Sequence, residues 1–254
     1  MTNIIDKFDK ITKTASRSLG FRITKNEDIN PSCILIISIQ SITKQSANSL
    51  KKINPDAIII YTENLPKTKI QLLKDFSWGI NINSLTLDTA EKNLKKEPDF
   101  IMFRIENTSV EPLEEGGVGR FLYVENDIPE LQVRYLEDLP IDVVVTTLPN
   151  EPNVSLNSLL ILANIRSYIT KYFFIECSKV LSIRELQELR DIGVDGFIFD
   201  ESIGINKVLE LRENINKLRD KKPKSSQKDK ERVSFAGESV DVEDDDDDDD
   251  DDDF

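Results

Sequence analysis

Between residues 33 and 219 the chain alternates eight times between a short run of β-branched and aromatic residues and a longer stretch whose apolar positions recur at helical spacing. The short runs fall at 33–39, 57–61, 78–82, 100–103, 121–124, 143–145, 172–175 and 196–199. Most are almost continuously apolar, as parallel strands covered on both faces are; a half-solvated antiparallel sheet would alternate instead. Eight such strands, each followed by an amphipathic stretch, predict an α/β fold of the (β/α)8 barrel type over residues 31–220. Ligands and chemistry sit at the carboxyl ends of the strands in that architecture, so the pattern also says where a site belongs.

Local signals agree with the repeat. Ser182 and Glu185 form a capping box, Leu186 and Leu189 supply an apolar stripe, and Gly193 stands where a left-handed helix end belongs. The closing helix carries Ile205, Val208, Leu209, Ile215 and Leu218 at spacings that share one face, which should pack on the outside of the barrel. One unit is irregular: residues 105–119 hold a proline, three glycines and the paired acids Glu114 and Glu115, which leaves room for a turn or two of helix. Barrel surface would be less covered there, and a subunit contact or a flexible loop is the natural consequence. Within the lead-in of residues 1–30, Ile4, Ile5, Phe8 and Ile11 mark an amphipathic helix over 3–15 that should close the amino-terminal mouth of the barrel or pack on its side.

Charge changes the picture mainly at the end of the chain. Of the net −14 on 254 residues, residues 221–254 contribute −9, with six Lys or Arg against fifteen Asp or Glu. That tail ends in an unbroken aspartate run, 244–253, followed by Phe254; it has nothing to bury and should stay disordered. The remaining −5 is mild and argues against a broad nucleic-acid-binding face. With no secretory segment and no apolar span of about 18 residues, the expectation is a cytoplasmic protein without a membrane partner. Cys33 and Cys177 both fall in expected strands and read as buried thiols in a reducing compartment.

The chain has no histidine. That removes imidazole acid–base catalysis, the usual Ser and Cys triads, and nearly all zinc and iron sites, leaving carboxylate, Lys, Tyr or Cys chemistry. Among the residues just past the strands, Glu106, Glu176 and Asp200 are the catalytic candidates. Arg104, Asn81, Thr146, Thr147 and Ser202 are the candidates for holding a small polar or anionic ligand. Magnesium, a hard ion that takes oxygen ligands, would suit Glu125, Glu176 and Asp200, with Arg104 on a carboxylate or phosphate. A Schiff-base lysine normally stands on a strand; the nearest here is Lys179, in the seventh loop.

Family resemblance enters with the segment Gly193-Val194-Asp195-Gly196-Phe197-Ile198-Phe199-Asp200. It resembles the eighth strand of the aldolase-type, phosphate-binding TIM barrels, in which the strand commonly runs into a glycine whose amide helps hold a phosphate. Here Asp200 replaces that glycine and the seventh loop reads Cys177-Ser178-Lys179, so the phosphate cradle is altered while Ser202 and Gly204 still offer amides. In outline the acids also resemble the metal-dependent pyruvate-handling barrels. Glu106 and Glu176 occupy the strand positions of the paired carboxylates of retaining glycosidases, which would need to lie about 5 Å apart. The tail is similar to the acidic, Phe-ended tails of single-stranded-DNA-binding proteins, which implies a protein partner for Phe254. Two functions stay open at this point: a lyase or aldolase-like enzyme working at the barrel mouth, and a catalytically inactive barrel that recruits partners through its tail and its thin fourth unit.

Overall fold

The computed structural model describes residues 4–14, 33–62, 65–114 and 117–218. By contact density the chain divides into two units, Met1–Lys221 and Lys222–Phe254. The second, with the aspartate run and Phe254, lies outside the described residues, as do the carboxyl ends of the second loop at Glu63 and Asn64.

Eight parallel strands close into a barrel in sequential order: β1 (Ile34–Ile39), β2 (Ala57–Ile60), β3 (Trp78–Ile82), β4 (Phe100–Arg104), β5 (Gly119–Tyr123), β6 (Val143–Thr147), β7 (Tyr172–Cys177) and β8 (Gly196–Asp200). β8 pairs with β1 from Ile34↔Gly196 to Ser38↔Asp200 and leaves no sheet edge. Outside lie α2 (Lys44–Ile53), α3 (Lys67–Ile70), α4 (Leu87–Leu94), α5 (Glu130–Tyr135), α6 (Leu156–Ser167), α7 (Ile183–Asp191) and α8 (Ile205–Asn216), after an N-terminal α1 (Ile4–Thr14). Among the described residues no helix is long and apolar enough to cross a membrane. Among its described residues the fourth unit carries a 3-10 turn, Glu111–Glu114, and no α-helix, in keeping with its proline and glycines.

The expected helix signals act as read. Ser182 caps α7 reciprocally with Glu185, and Gly193, at φ +113°, ends it; the amide of Gly193 reaches the carbonyl of Arg190 and that of Val194 the carbonyl of Leu189, which satisfies two otherwise orphaned carbonyls. In α8 the face differs from expectation. Val208, Leu211, Ile215 and Leu218 are buried, Leu209 is half-buried, and Ile205 at the first position is exposed. Both cysteines are buried thiols outside any disulfide.

Pleating sorts the strand residues into two cores. One set faces the helices; the other fills the lumen, with Ile34, Ile36, Ile59, Phe100, Met102, Phe121, Val145, Phe174 and Ile198 among its members. α1 seals the lower end: Phe8 is wholly buried and meets Phe121, Tyr172 and Phe174 at centroid distances of 5.4 to 6.1 Å. Of the two placements the apolar stripe allowed, the plug is the one adopted. Large and small residues alternate around the lower lumen, since Gly79 and Gly119 both stand in register with Phe100. A β-carbon on Gly79 would lie 2.4 Å from the Phe100 ring, and one on Gly119 would lie 2.6 Å from Ile4.

At the same end an aspartate precedes every even-numbered strand: Asp56, Asp99, Asp142 and Asp195. Each carboxylate accepts the backbone N–H of the strand before it, from Leu35, Trp78, Arg120 and Phe173 at 2.8 to 3.1 Å. Each aspartate amide in turn donates to the carbonyl of the same residue. Four clamps therefore fix the starting register of neighbouring strands where the ladder has just begun. Asp56 is further gripped by Arg212 of α8 in a two-pronged pair at 2.8 and 3.1 Å, which ties the last helix to the first two strands.

Candidate functional site

At the other end of the barrel each strand places one polar side chain on the lumen side of its carboxyl terminus. The alternation that sends Ile34 and Ile36 inward does the same to Ser38, and in turn the pleat brings in Tyr61, Asn81, Arg104, Tyr123, Thr147, Glu176 and Asp200. Beneath them the lumen is apolar. The mouth is thus a polar ring on a dry floor, and the floor is what makes its hydrogen bonds strong.

Most of these side chains are held by one another. The Tyr61 hydroxyl donates to Oε1 of Glu176 at 2.7 Å. Burial first, and then the Glu176 carboxylate beside it, push the Tyr61 hydroxyl well above the usual phenol range, so it stays a donor. Tyr123 shares a hydrogen bond with Oγ1 of Thr147. The guanidinium of Arg104 lies 4.1 Å from the centre of the Tyr123 ring and pairs with Glu125. Ser38 donates to Oδ2 of Asp200 at 3.3 Å, and Oδ1 of Asp200 accepts the amide of Ser202 at 2.9 Å, capping the 3-10 turn Glu201–Ile203.

The sequence candidates separate accordingly. Arg104, Asn81, Thr147, Glu176 and Asp200 stand in the mouth, and Glu125 joins them from the rim through Arg104. Thr146 does not: it is one residue out of phase, fully buried on the helix side, with its hydroxyl donated to the carbonyl of Val124 and to Oδ1 of Asn126. Ser202 is exposed and its amide is spent on Asp200; the amide of Gly204 goes to the carbonyl of Glu201. Glu106 lies exposed on the connection between β4 and β5, whereas Glu176 is half-buried in the mouth. Lys179 donates to the carbonyl of Glu151 at 2.7 Å and braces two loops.

Glu125, Glu176 and Asp200 do not assemble as a cation site. Among the described residues no three acidic or thiol side chains are grouped so as to hold a metal ion, and these three are engaged separately by Arg104, by Tyr61 and by Ser38 with Ser202. Sequence reasoning passed over Tyr61 and Tyr123, absorbing both into strand runs. Counting by twos from Ile59 and from Phe121 would have placed them beside Glu176 and Arg104. Away from the mouth, a cavity of about 360 Å³ opens between α2 and α8, with Ile37, Leu50, Ile53 and Val208 in its wall.

No protein-family model matches the chain, and no curated protein matches its sequence. Solved structures do resemble it. Thiamine phosphate pyrophosphorylase from Pyrococcus furiosus aligns with a TM-score of 0.55 at 16% identity, over 74% of this chain and 96% of that one. Tryptophan synthase from M. tuberculosis gives 0.59 at 9% identity, over 85% and 98%. KGPDC from Streptococcus mutans gives 0.54 at 12% identity, over 73% and 98%. At such identities the likeness is one of fold, and the expected kinship with the TIM barrels holds at that level.

Proposed function

From a barrel fold shared with those enzymes, we propose that this chain binds a small polar molecule at the carboxyl-end mouth and performs proton-transfer chemistry of the lyase kind on it. One observation carries the reading: all eight strands end in a polar side chain facing the same small space above an apolar lumen. Partly burying polar groups costs free energy unless they are paired, and apolar residues would pack a merely structural barrel at lower cost. Glu176 is the proton acceptor, with Tyr61 holding its carboxylate in place. Arg104 orients the ligand and offsets negative charge that develops on it, and Thr147 with Tyr123 supplies hydrogen bonds.

The test is thermal melting of the full chain with hydroxy acids, keto acids, sugar phosphates and polyols. A ligand at 100 times its Kd adds about 2.7 kcal/mol, which is readily seen. The expected result is stabilisation by one class that disappears in Glu176→Gln and Asp200→Asn. No response to any class, or a response that both variants retain, counts against the mouth as the site. The second reading, a barrel that serves as an interaction scaffold, is favoured by the exposed Leu87, Ile105 and Val110 around the thin fourth unit; a silent mouth would shift weight to it.

A further inference from the structure

Resting on that reading of the mouth, we infer that its ligand is a bipolar small acid: a carboxylate on Arg104 at one side, and a hydroxyl or ammonium group toward Glu176 and Asp200 at the other. Glu125 is then an internal counterion that the ligand displaces.

The ring is polarised. Arg104 is the one basic side chain among its eight positions, and it comes from β4. Since the strands close in sequential order, β4 stands across the barrel from β8, whose contribution is Asp200, with Glu176 beside it on β7. A ligand that spans the mouth meets positive charge at one end and two carboxylates at the other. A dianionic phosphate fits this poorly, because the amide of Ser202 and the hydroxyl of Ser38 already serve Asp200.

The Arg104–Glu125 pair is built to be exchanged. Its side chains are 45% and 54% exposed, and ion pairs so open to water are screened and weak. The guanidinium is meanwhile held by two other features: its face rests on the Tyr123 ring, and Tyr123 is itself pinned by Thr147. Glu125 is not on a strand; it follows β5 in the loop, where it can swing away without disturbing the barrel. A ligand carboxylate that replaces it meets a pre-positioned fork of donors and gains a charge-assisted, two-pronged pair.

The experiment is an NMR chemical-shift titration of the full chain with 4-hydroxybutyrate and 4-aminobutyrate, against butyrate, 1,4-butanediol and inorganic phosphate. The wild-type chain is expected to bind the two bipolar acids more tightly than butyrate, the diol or phosphate. Removing the competitor in Glu125→Gln should tighten both acids by about threefold and by no more than about fivefold, as befits an exposed ion pair. Arg104→Gln should abolish their binding while leaving the circular dichroism spectrum unchanged, and Glu176→Gln should weaken them without weakening butyrate. Unchanged or weaker acid binding in Glu125→Gln, or undiminished binding in Arg104→Gln, overturns the inference. If the diol or another neutral polyol binds in a Glu176-dependent way and the acids do not, the ligand class is wrong and the mouth reading stands. Silence toward every probe from a folded chain overturns both.

Discussion

Removing the Asp56 carboxylate should cost more than removing that of Asp99, its counterpart ahead of β4 at the same end of the barrel. Asp56 accepts the buried amide of Leu35 and grips both terminal nitrogens of Arg212, with side-chain exposures of only 9% and 14% in the pair. Leaving that amide unsatisfied costs about 1–3 kcal/mol, and stranding one partner of a buried ion pair about 3–5 kcal/mol. One carboxylate serves both and water will partly replace it, so the two do not add; about 4 kcal/mol is expected for Asp56→Ala. Asp99→Ala removes the same kind of strand clamp, from Trp78, but among the described residues no arginine forks onto Asp99, so about 1–2 kcal/mol is expected. Urea unfolding followed by far-ultraviolet circular dichroism compares them directly: with a slope near 3 kcal/mol per molar, Asp56→Ala should lower the midpoint by more than about 1 M. Asp56→Asn, which keeps an acceptor for Leu35, should fall between. A double-mutant cycle with Arg212→Met should show coupling of about 2–3 kcal/mol. Costs for Asp56→Ala and Asp99→Ala within about 0.5 kcal/mol of each other, or a cycle with no coupling, would refute the claim that Arg212 makes this clamp special.

Three further outcomes are expected. Phe8→Ala, which empties the aromatic plug, should destabilise the barrel by about 3–5 kcal/mol and expose α1 to limited proteolysis; a change in melting too small to detect would mean α1 is not part of the core. Gly79→Ala should cost about 1–3 kcal/mol through the clash of its β-carbon with Phe100, and a neutral substitution would show that the lower lumen has slack. Because the Tyr61 hydroxyl binds its proton more tightly folded than unfolded, stability from this source is complete below the ordinary phenol range near pH 10 and is lost as pH rises above it. Tyr61→Phe should flatten that alkaline loss in melting measured from pH 8 to pH 11; an identical profile in the variant would sink the assignment.

The clamps show how a feature can be written in the chain and still pass unread. Asp56, Asp99 and Asp142 recur at intervals of 43 residues, and Asp195 follows 53 later, after the longer α6 unit. Each looks like an ordinary polar residue closing a loop until the strand that follows is paired with the one before. At the mouth, adjacent Thr146 and Thr147 are chemically identical candidates, and only the pleat decides that one serves the barrel's interior and the other the layer beneath the helices.

Hydrophobic periodicity was enough to predict the eight strands, their parallel character and an amphipathic α1, because apolar side chains must be buried; the cap of α7 and the short fourth unit were legible from capping, proline and glycine residues, while the placement of α1 as a plug was decided by the tertiary structure. Local sequence could also exclude imidazole chemistry outright. What only the tertiary structure decided was partnership: that Tyr61 meets Glu176 from 115 positions away, that Arg104 lies on Tyr123 and pairs with Glu125, and that Asp200 takes the Ser202 amide while that of Gly204 goes to the carbonyl of Glu201. Such contacts depend on which way each strand's last residue points and on which strand stands beside or across from it, and both are set by closure of the barrel, a property no single segment carries.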